Sequence, residues 1–120
     1  MKKTFSNAIE GIITLIKEER NAKLHLISTI LIIVCGNYLG FGPTEWIWIS
    51  LAIAGVWVAE LINSAIERIV DIVSPEFHPL AKKAKDFTAG AVLVMSIWAL
   101  FIFFILVVPK LYLYLMLNAS

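Results

Sequence analysis

The segment Phe87 to Val108, FTAGAVLVMSIWALFIFFILVV, runs for 22 residues without a charge and most restricts what the chain can become. A membrane-spanning helix needs about 20 mainly apolar residues at about 1.5 Å rise each, and this run supplies them. Two other runs resemble it. Leu24 to Phe41, LHLISTILIIVCGNYLGF, carries no charge apart from a possible one on His25 and is slightly short. Trp46 to Val73 is apolar in its first half and punctuated by acids in its second, which suits a helix whose polar half lines an interior. The expectation is an all-α integral membrane protein with spans over about 24–41, 46–73 and 87–108. The composition agrees: 60% of residues are hydrophobic and 16% charged, against roughly 45–50% and about 25% in an average globular chain.

The length of 120 residues leaves room for one domain, 1–120. A formal net charge of +1 argues against a nucleic-acid partner, which would usually be met by a basic face. Cys35 is alone and cannot form an internal disulfide. Gly40-Phe41-Gly42-Pro43-Thr44 is a turn cluster between the first two runs, with Trp46 and Trp48 suited to a membrane interface. Ser74-Pro75-Glu76-Phe77-His78-Pro79 ends the second run, because each proline restricts the residue before it. Pro109-Lys110 is expected to close the third.

Basic residues set the orientation. Lys2, Lys3, Lys17, Arg20 and Lys23 precede the first span, and Arg68, Lys82, Lys83 and Lys85 flank the second loop, whereas the first loop has only Glu45. The positive-inside rule then makes the amino terminus and loop 74–86 cytoplasmic. Before the first span, Phe5, Ile9, Ile12, Ile13 and Ile16 recur at helical spacing among Glu10, Lys17, Glu18 and Glu19. That pattern predicts an amphipathic helix over about 3–20 lying on the membrane surface, not a signal peptide.

The second run carries the chemistry. Glu60, Asn63, Ser64, Glu67 and Asp71 stand at i, i+3, i+4, i+7 and i+11, one face of one helix. Glu60 is roughly 21 Å along the axis from Trp46, inside the hydrocarbon. A carboxylate there costs at least about 2.5–3.5 kcal/mol on insertion scales and reads as functional by default. A polar clamp between helices would account for Asn63 and Ser64. It leaves three mutually repelling carboxylates without a reason, unless a cation joins them. Carboxylates one or two turns apart serve two purposes: holding a hard cation such as Mg²⁺, and accepting a proton as general base. The deeper Glu60 suits the base and Glu67 the metal, with Glu18 or Glu19 as a possible second metal carboxylate.

Lys82, Lys83, Lys85 and Asp86 open the third run, followed by Ala89, Gly90 and Ala91. Lysines at a cytoplasmic interface satisfy the positive-inside rule without further purpose. A lysine also neutralises phosphate as a point charge, and the small residues allow close helix approach. Neither GxxxxGK[ST] nor GxGxxG nor HExxH occurs, so phosphoryl transfer here would need its own arrangement of metal, base and phosphate clamp.

Taken together, Glu60-Leu-Ile-Asn63-Ser64-Ala65-Ile66-Glu67 with Asp71, the segment His78 to Asp86 followed by Ala89-Gly90-Ala91-Val92, and Glu19-Arg20-Asn21 with His25 four residues on resemble the motifs of the prokaryotic diacylglycerol kinase family, in particular its undecaprenol kinase branch. The likeness covers nearly the whole chain. It implies a homotrimer of three-span subunits in the bacterial cytoplasmic membrane, with active sites shared between neighbours and ATP as phosphate donor. It implies Glu60 as the base for the lipid hydroxyl with Asn63 beside it, and Mg²⁺ held by Glu19 and Glu67. Lys85 and Asp86 would contact the nucleotide, with Glu76, Phe77 and His78 near its adenine end. The preferred acceptor is undecaprenol, with diacylglycerol second. Two features depart from the family pattern: only Lys2 and Lys3 are available where the diacylglycerol branch carries an arginine, and Thr88 stands where the undecaprenol branch usually has alanine. Two rivals from other classes are a proton-coupled transporter, which would use Glu60 and leave Glu19, Lys85 and Asp86 idle, and a membrane adaptor, which would tolerate a neutralised acidic stripe.

Overall fold

The computed structural model describes residues 2–119, which form four helices: α1 Lys2–Glu18, α2 Arg20–Leu39, α3 Pro43–Val73 and α4 Pro79–Ala119. The last three are long and apolar enough to cross a membrane. Their lipid-facing character shows in what stays exposed: Leu31, Val34, Ile47, Leu93, Val94 and Phe104 among many others.

One extended residue, Glu19, separates α1 from α2 (φ −103°, ψ 122°). The Lys23 ammonium donates to the Lys17 carbonyl at 2.7 Å, satisfying one of the acceptors left at the end of α1. Helix α2 therefore begins four residues before the expected span and ends at Leu39. On α1 the apolar Phe5, Ile9, Ile12 and Ile13 are exposed, while Leu15 is buried.

The expected turn between the first two runs has a specific construction. Gly40 adopts a left-handed conformation (φ 73°), which glycine enters without a Cβ penalty. The N–H groups of Gly40 and Phe41 donate to the carbonyls of Asn37 and Gly36, closing α2 with a Schellman motif. Pro43 then opens α3 at the helical position where a missing N–H costs nothing. The chain reverses so tightly that Trp46 lies on Gly36, whose absent side chain makes the space: a Cβ would stand 2.7 Å from Trp46 Cη2. Phe41 and Trp46 meet edge to face at 5.5 Å between ring centres.

Helices α3 and α4 form the main packed pair. Phe41, Ile49, Ala52, Ile102 and Val107 make the buried cluster, with Ile53, Ala99 and Phe103 against it. Further along, Gly55 accepts the end of Met95 in a place where a Cβ would overlap it.

Helix α4 departs from expectation at both ends. It starts at Pro79, so most of loop 74–86 is helical, and it continues through Pro109 to Ala119. A proline inside a helix costs about 3 kcal/mol through its missing N–H and its ring clash. Local contacts offset that cost. The Lys110 ammonium lies 2.9 Å from Glu45 Oε2, off the line of a directed hydrogen bond, donates to the Gly40 carbonyl at 3.3 Å and covers the Phe41 ring at 5.8 Å. One turn on, the Tyr114 and Tyr38 hydroxyls share a 2.5 Å hydrogen bond. The apolar tail beyond Lys110 is thus helix, tied back to the α2–α3 turn. At about 1.5 Å per residue, 41 residues reach about 60 Å, twice the hydrocarbon thickness of a bilayer.

Candidate active site

The acidic stripe lies along the second half of α3. Within it Glu60 and Ser64 are buried, Asn63 and Glu67 half-buried, and Asp71 exposed. This gradient follows from the packing. Glu60 sits a turn beyond Val56, where α2 and α4 still cover α3, and the cover thins toward Val73. Only 3% of Glu60 is exposed, and one of its oxygens, Oε1, is 2.9 Å from Nε2 of His25 on α2.

That contact has a brace one turn away. Thr29 Oγ1 donates to the His25 carbonyl at 2.7 Å, and the indole N–H of Trp57 donates to Thr29 Oγ1 at 3.1 Å. His25 and Thr29 are four apart on α2, while Glu60 and Trp57 are three apart on α3. The two bridges therefore fix the antiparallel register of these helices at the level of the buried carboxylate. An almost wholly apolar cavity of about 430 Å³ opens beside them, lined by His25, Thr29, Ile53, Trp57, Ala99 and Phe103 among others.

One turn along α3, Asn63 Nδ2 donates to Glu67 Oε1 at 3.4 Å. The other end of that amide, Oδ1, is buried and has no partner. A buried acceptor left unmatched is costly, so this oxygen is ready for a donor or a cation. Glu19 occupies the single-residue break between α1 and α2, and Arg68 reaches it at 3.5 Å while binding Glu18 at 2.7 Å. The bonds therefore give Glu19 to Arg68 and Glu67 to Asn63. Among the described residues no three His, Cys, Asp or Glu side chains form a ready-made metal cage. Mg²⁺ does not need one: it is usually held by one or two carboxylates, with substrate phosphates and water completing the shell. The Glu67 carboxylate, with the unmatched buried oxygen of Asn63 beside it, fits that ion.

The basic cluster is divided. Lys85 Nζ donates to Asp71 Oδ1 across the two helices at 2.5 Å, and Lys82 Nζ donates to Asp86 Oδ2 one turn along α4 at 2.6 Å. Lys85 and Asp86, adjacent in sequence, point about 100° apart and serve different partners. Lys85 precedes the apolar run, and its hydrogen bond to Asp71 holds the ammonium above the ordinary lysine range, against partial desolvation, with the Asp71 and Glu67 charges adding to the effect. In the loop, Glu76, Phe77 and His78 are all exposed. His78 Nδ1 accepts from the Leu80 N–H at 3.1 Å, which organises the start of α4, and Ser74 Oγ donates to the Glu76 carbonyl.

Sequence reasoning missed three pairings of the site, Lys85 with Asp71, Arg68 with Glu18 and Glu19, and His25 with Glu60. The first had a usable signal. A five-residue connection makes α3 and α4 antiparallel neighbours, so the last acid of the stripe faces a base in the opening turns of the next helix. The second had none, because it depends on the direction α1 takes after the break at Glu19.

The model of the family described as prokaryotic diacylglycerol kinase matches residues 6–107. The chain is 38% identical over 109 residues to an undecaprenol kinase of Bacillus subtilis, a span of 91% of this chain and 89% of that one. It is 42% identical over 84 residues to a diacylglycerol kinase of Helicobacter pylori, covering 69% and 66% of the two chains. A diacylglycerol kinase of Escherichia coli K12 is 32% identical over 73 residues, or 61% and 60%. All of the expected site residues, from Glu19 to Asp86, fall within the matched region. The chain belongs to the prokaryotic diacylglycerol kinase family.

Proposed function

We propose that this protein transfers the γ-phosphate of ATP to the hydroxyl of undecaprenol, giving undecaprenyl phosphate, with diacylglycerol as the second-choice acceptor. The observation that carries the reading is Glu60: a buried carboxylate on a lipid-spanning helix, bonded among the described residues through Oε1, in a chain similar to an undecaprenol kinase over nine-tenths of its length. A lipid alcohol can deliver its hydroxyl to such a depth, whereas a water-soluble acceptor would have to enter the hydrocarbon.

In this mechanism the acceptor hydroxyl approaches the second oxygen of Glu60, which takes its proton as the new oxygen–phosphorus bond forms. The bond from the γ-phosphorus to the departing oxygen breaks, and ADP leaves with that electron pair. Glu60 then returns the proton to solvent. Asn63, one turn away, orients the reacting groups through its unmatched Oδ1. The transfer is direct and in line, a displacement that needs positioning and charge stabilisation and no covalent step on the protein. Lys85 and Asp86 bind the nucleotide from α4, the Lys85 ammonium exchanging Asp71 for phosphate. Glu76, Phe77 and His78, exposed in the loop, lie along its adenine end. Glu19 and Glu67 would hold Mg²⁺, which when bound neutralises phosphate charge. The apolar cavity beside His25 offers the acceptor chain a place among side chains of its own polarity.

The working form is a homotrimer in the bacterial cytoplasmic membrane, with residues from neighbouring subunits completing each site. The amino terminus and loop 74–86 face the cytoplasm, where ATP is found. Helix α1 lies on the membrane surface through Phe5, Ile9, Ile12 and Ile13, a reading supported by the exposure of all four. The single 120-residue chain is one catalytic domain. Purified protein in vesicles containing undecaprenol and diacylglycerol at equal fractions, given ATP and Mg²⁺, tests the reading. Undecaprenyl phosphate should dominate the products. A majority of phosphatidic acid would exchange the two acceptors, and the absence of both phosphorylated lipids would end the proposal.

A further inference from the structure

Glu60 is left with a problem that its role as base does not solve. A carboxylate 97% removed from solvent must be present in its ionised form, and one of its two oxygens must face the acceptor. An ionised carboxylate only accepts hydrogen bonds, so the 2.9 Å contact from His25 requires a proton on Nε2. We propose that His25 is the positioning residue of the site. Its Nε2–H donates to Glu60 Oε1, offsets part of the desolvation of the charged form, and turns Oε2 toward the incoming hydroxyl. This inference rests on the reading of Glu60 as base.

Three observations support it. The backbone that carries the imidazole is held in place: the Thr29 hydroxyl, bonded to the His25 carbonyl, accepts from the Trp57 indole one turn away, so α2 meets α3 in a fixed register. No other charged side chain bonds to Glu60 among the described residues, for the remaining ones nearby are committed elsewhere. Helix α1 and its junction give Glu18 and Glu19 to Arg68, α3 pairs Glu67 with Asn63, and α4 directs Lys85 to Asp71. Finally, His25 both touches Glu60 and lines the apolar cavity, so the donor stands where an acceptor lipid would come to the base.

The role separates from a merely structural one by substitution and by spectroscopy. His25→Leu should lower kcat roughly 10- to 100-fold, the loss expected of one hydrogen bond to a charged group, with the KM for ATP little changed. His25→Gln places an amide N–H near the Nε2 position and should recover most of that loss. Unequal rescue is the point, because a side chain that only fills space would be replaced better by Leu. In the infrared, the Glu60 carboxylate band, identified by its disappearance in Glu60→Gln, should shift in His25→Leu and stay near its place in His25→Gln. Should His25→Leu fail to insert, wild-type protein with ¹⁵N-labelled histidine decides the matter: the His25 Nε2 resonance should be that of a protonated nitrogen. Full activity in His25→Leu, equal impairment in Leu and Gln variants, or an unprotonated Nε2 would each overturn the assignment. Glu60→Gln keeps the two readings apart. If it is inactive while His25→Leu is fully active, only the positioning role falls; if it is fully active, the base itself falls.

Discussion

The two ends of the helical bundle are built by opposite rules. At the α2–α3 turn the chain is locked by shape: a left-handed Gly40, a Gly36 with no room for a Cβ, Trp46 and Phe41 packed over it, and Lys110 fastening α4 from outside. At the α3–α4 loop it is held by charge: Lys85 with Asp71, Lys82 with Asp86, Arg68 with Glu18 and Glu19, all at least partly exposed. Exposed ion pairs are each worth only about 0–1 kcal/mol, so they can be exchanged for phosphate at little cost. Packing around a glycine cannot be exchanged for anything. The difference teaches where this small chain places its stability and where it keeps its reactive groups. Glu60 stands at the boundary, buried by the packed part and, in the proposed mechanism, within reach of a nucleotide held by the charged part.

The sharpest way to break this division is Glu60→Gln. The amide keeps the volume and loses proton acceptance, and general base catalysis is typically worth about 10²–10⁴-fold. Lipid phosphorylation should fall by that order, while ATP binding, measured on the same vesicles, should stay nearly intact. A parallel loss of ATP binding would mean that Glu60 serves the nucleotide rather than the acceptor.

Next in size is the comparison of two lysines. Lys85→Ala should raise the ATP concentration for half-maximal rate by about tenfold or more, in keeping with the loss of a hydrogen bond to a charged group. Lys83 lies about 160° from Lys85 around α4 and should give a near-normal response when changed to Ala. Equal effects would reduce both lysines to summed interfacial charge.

Gly36→Ala tests the packed end. Its Cβ would lie 2.7 Å from Trp46 and 2.8 Å from Phe41, and overpacking of this kind typically costs about 1–3 kcal/mol. Unfolding from lipid bicelles should register that loss, with turnover per folded molecule unchanged. A catalytic defect without a stability defect would couple the two ends and contradict the division.

The smallest effect concerns pH. Lys85 is held above the ordinary lysine range by Asp71. For a base raised in the folded state, the stabilisation is fully present below its unfolded value and is lost as pH rises through the folded one. The pair should therefore leave stability flat between pH 6 and 9 and contribute a decline only in the alkaline range. Asp71→Asn should remove that alkaline component, as followed by unfolding in detergent at stepped pH. A decline already present at neutral pH, absent from the variant, would show that the ammonium is not held as described.

Much of this division was legible in the sequence. The three apolar runs, the Gly40–Thr44 turn and the face shared by Glu60, Asn63, Ser64 and Glu67 follow from residue spacing alone, because helical periodicity and turn chemistry are local properties. The course of α4 past Pro109 was not legible. A proline reads as a stop when only its own backbone is considered, and here the contacts of Lys110 and Tyr114 with residues some seventy positions earlier carry the helix through. The pairing of His25 with Glu60 was hidden for the same reason. The histidine belongs to a recognisable motif, but its partner is 35 residues away and is fixed by helix register, not by spacing.

Direct attack by a lipid hydroxyl activated within the membrane is the step on which the proposed function depends. ATP made chiral at the γ-phosphorus with oxygen isotopes, reacted with the protein in vesicles containing undecaprenol and Mg²⁺, tests that claim most directly. A single in-line displacement predicts undecaprenyl phosphate of inverted configuration at phosphorus. Retained configuration would mean that phosphate passes through an intermediate on the protein, and would contradict the mechanism built on Glu60.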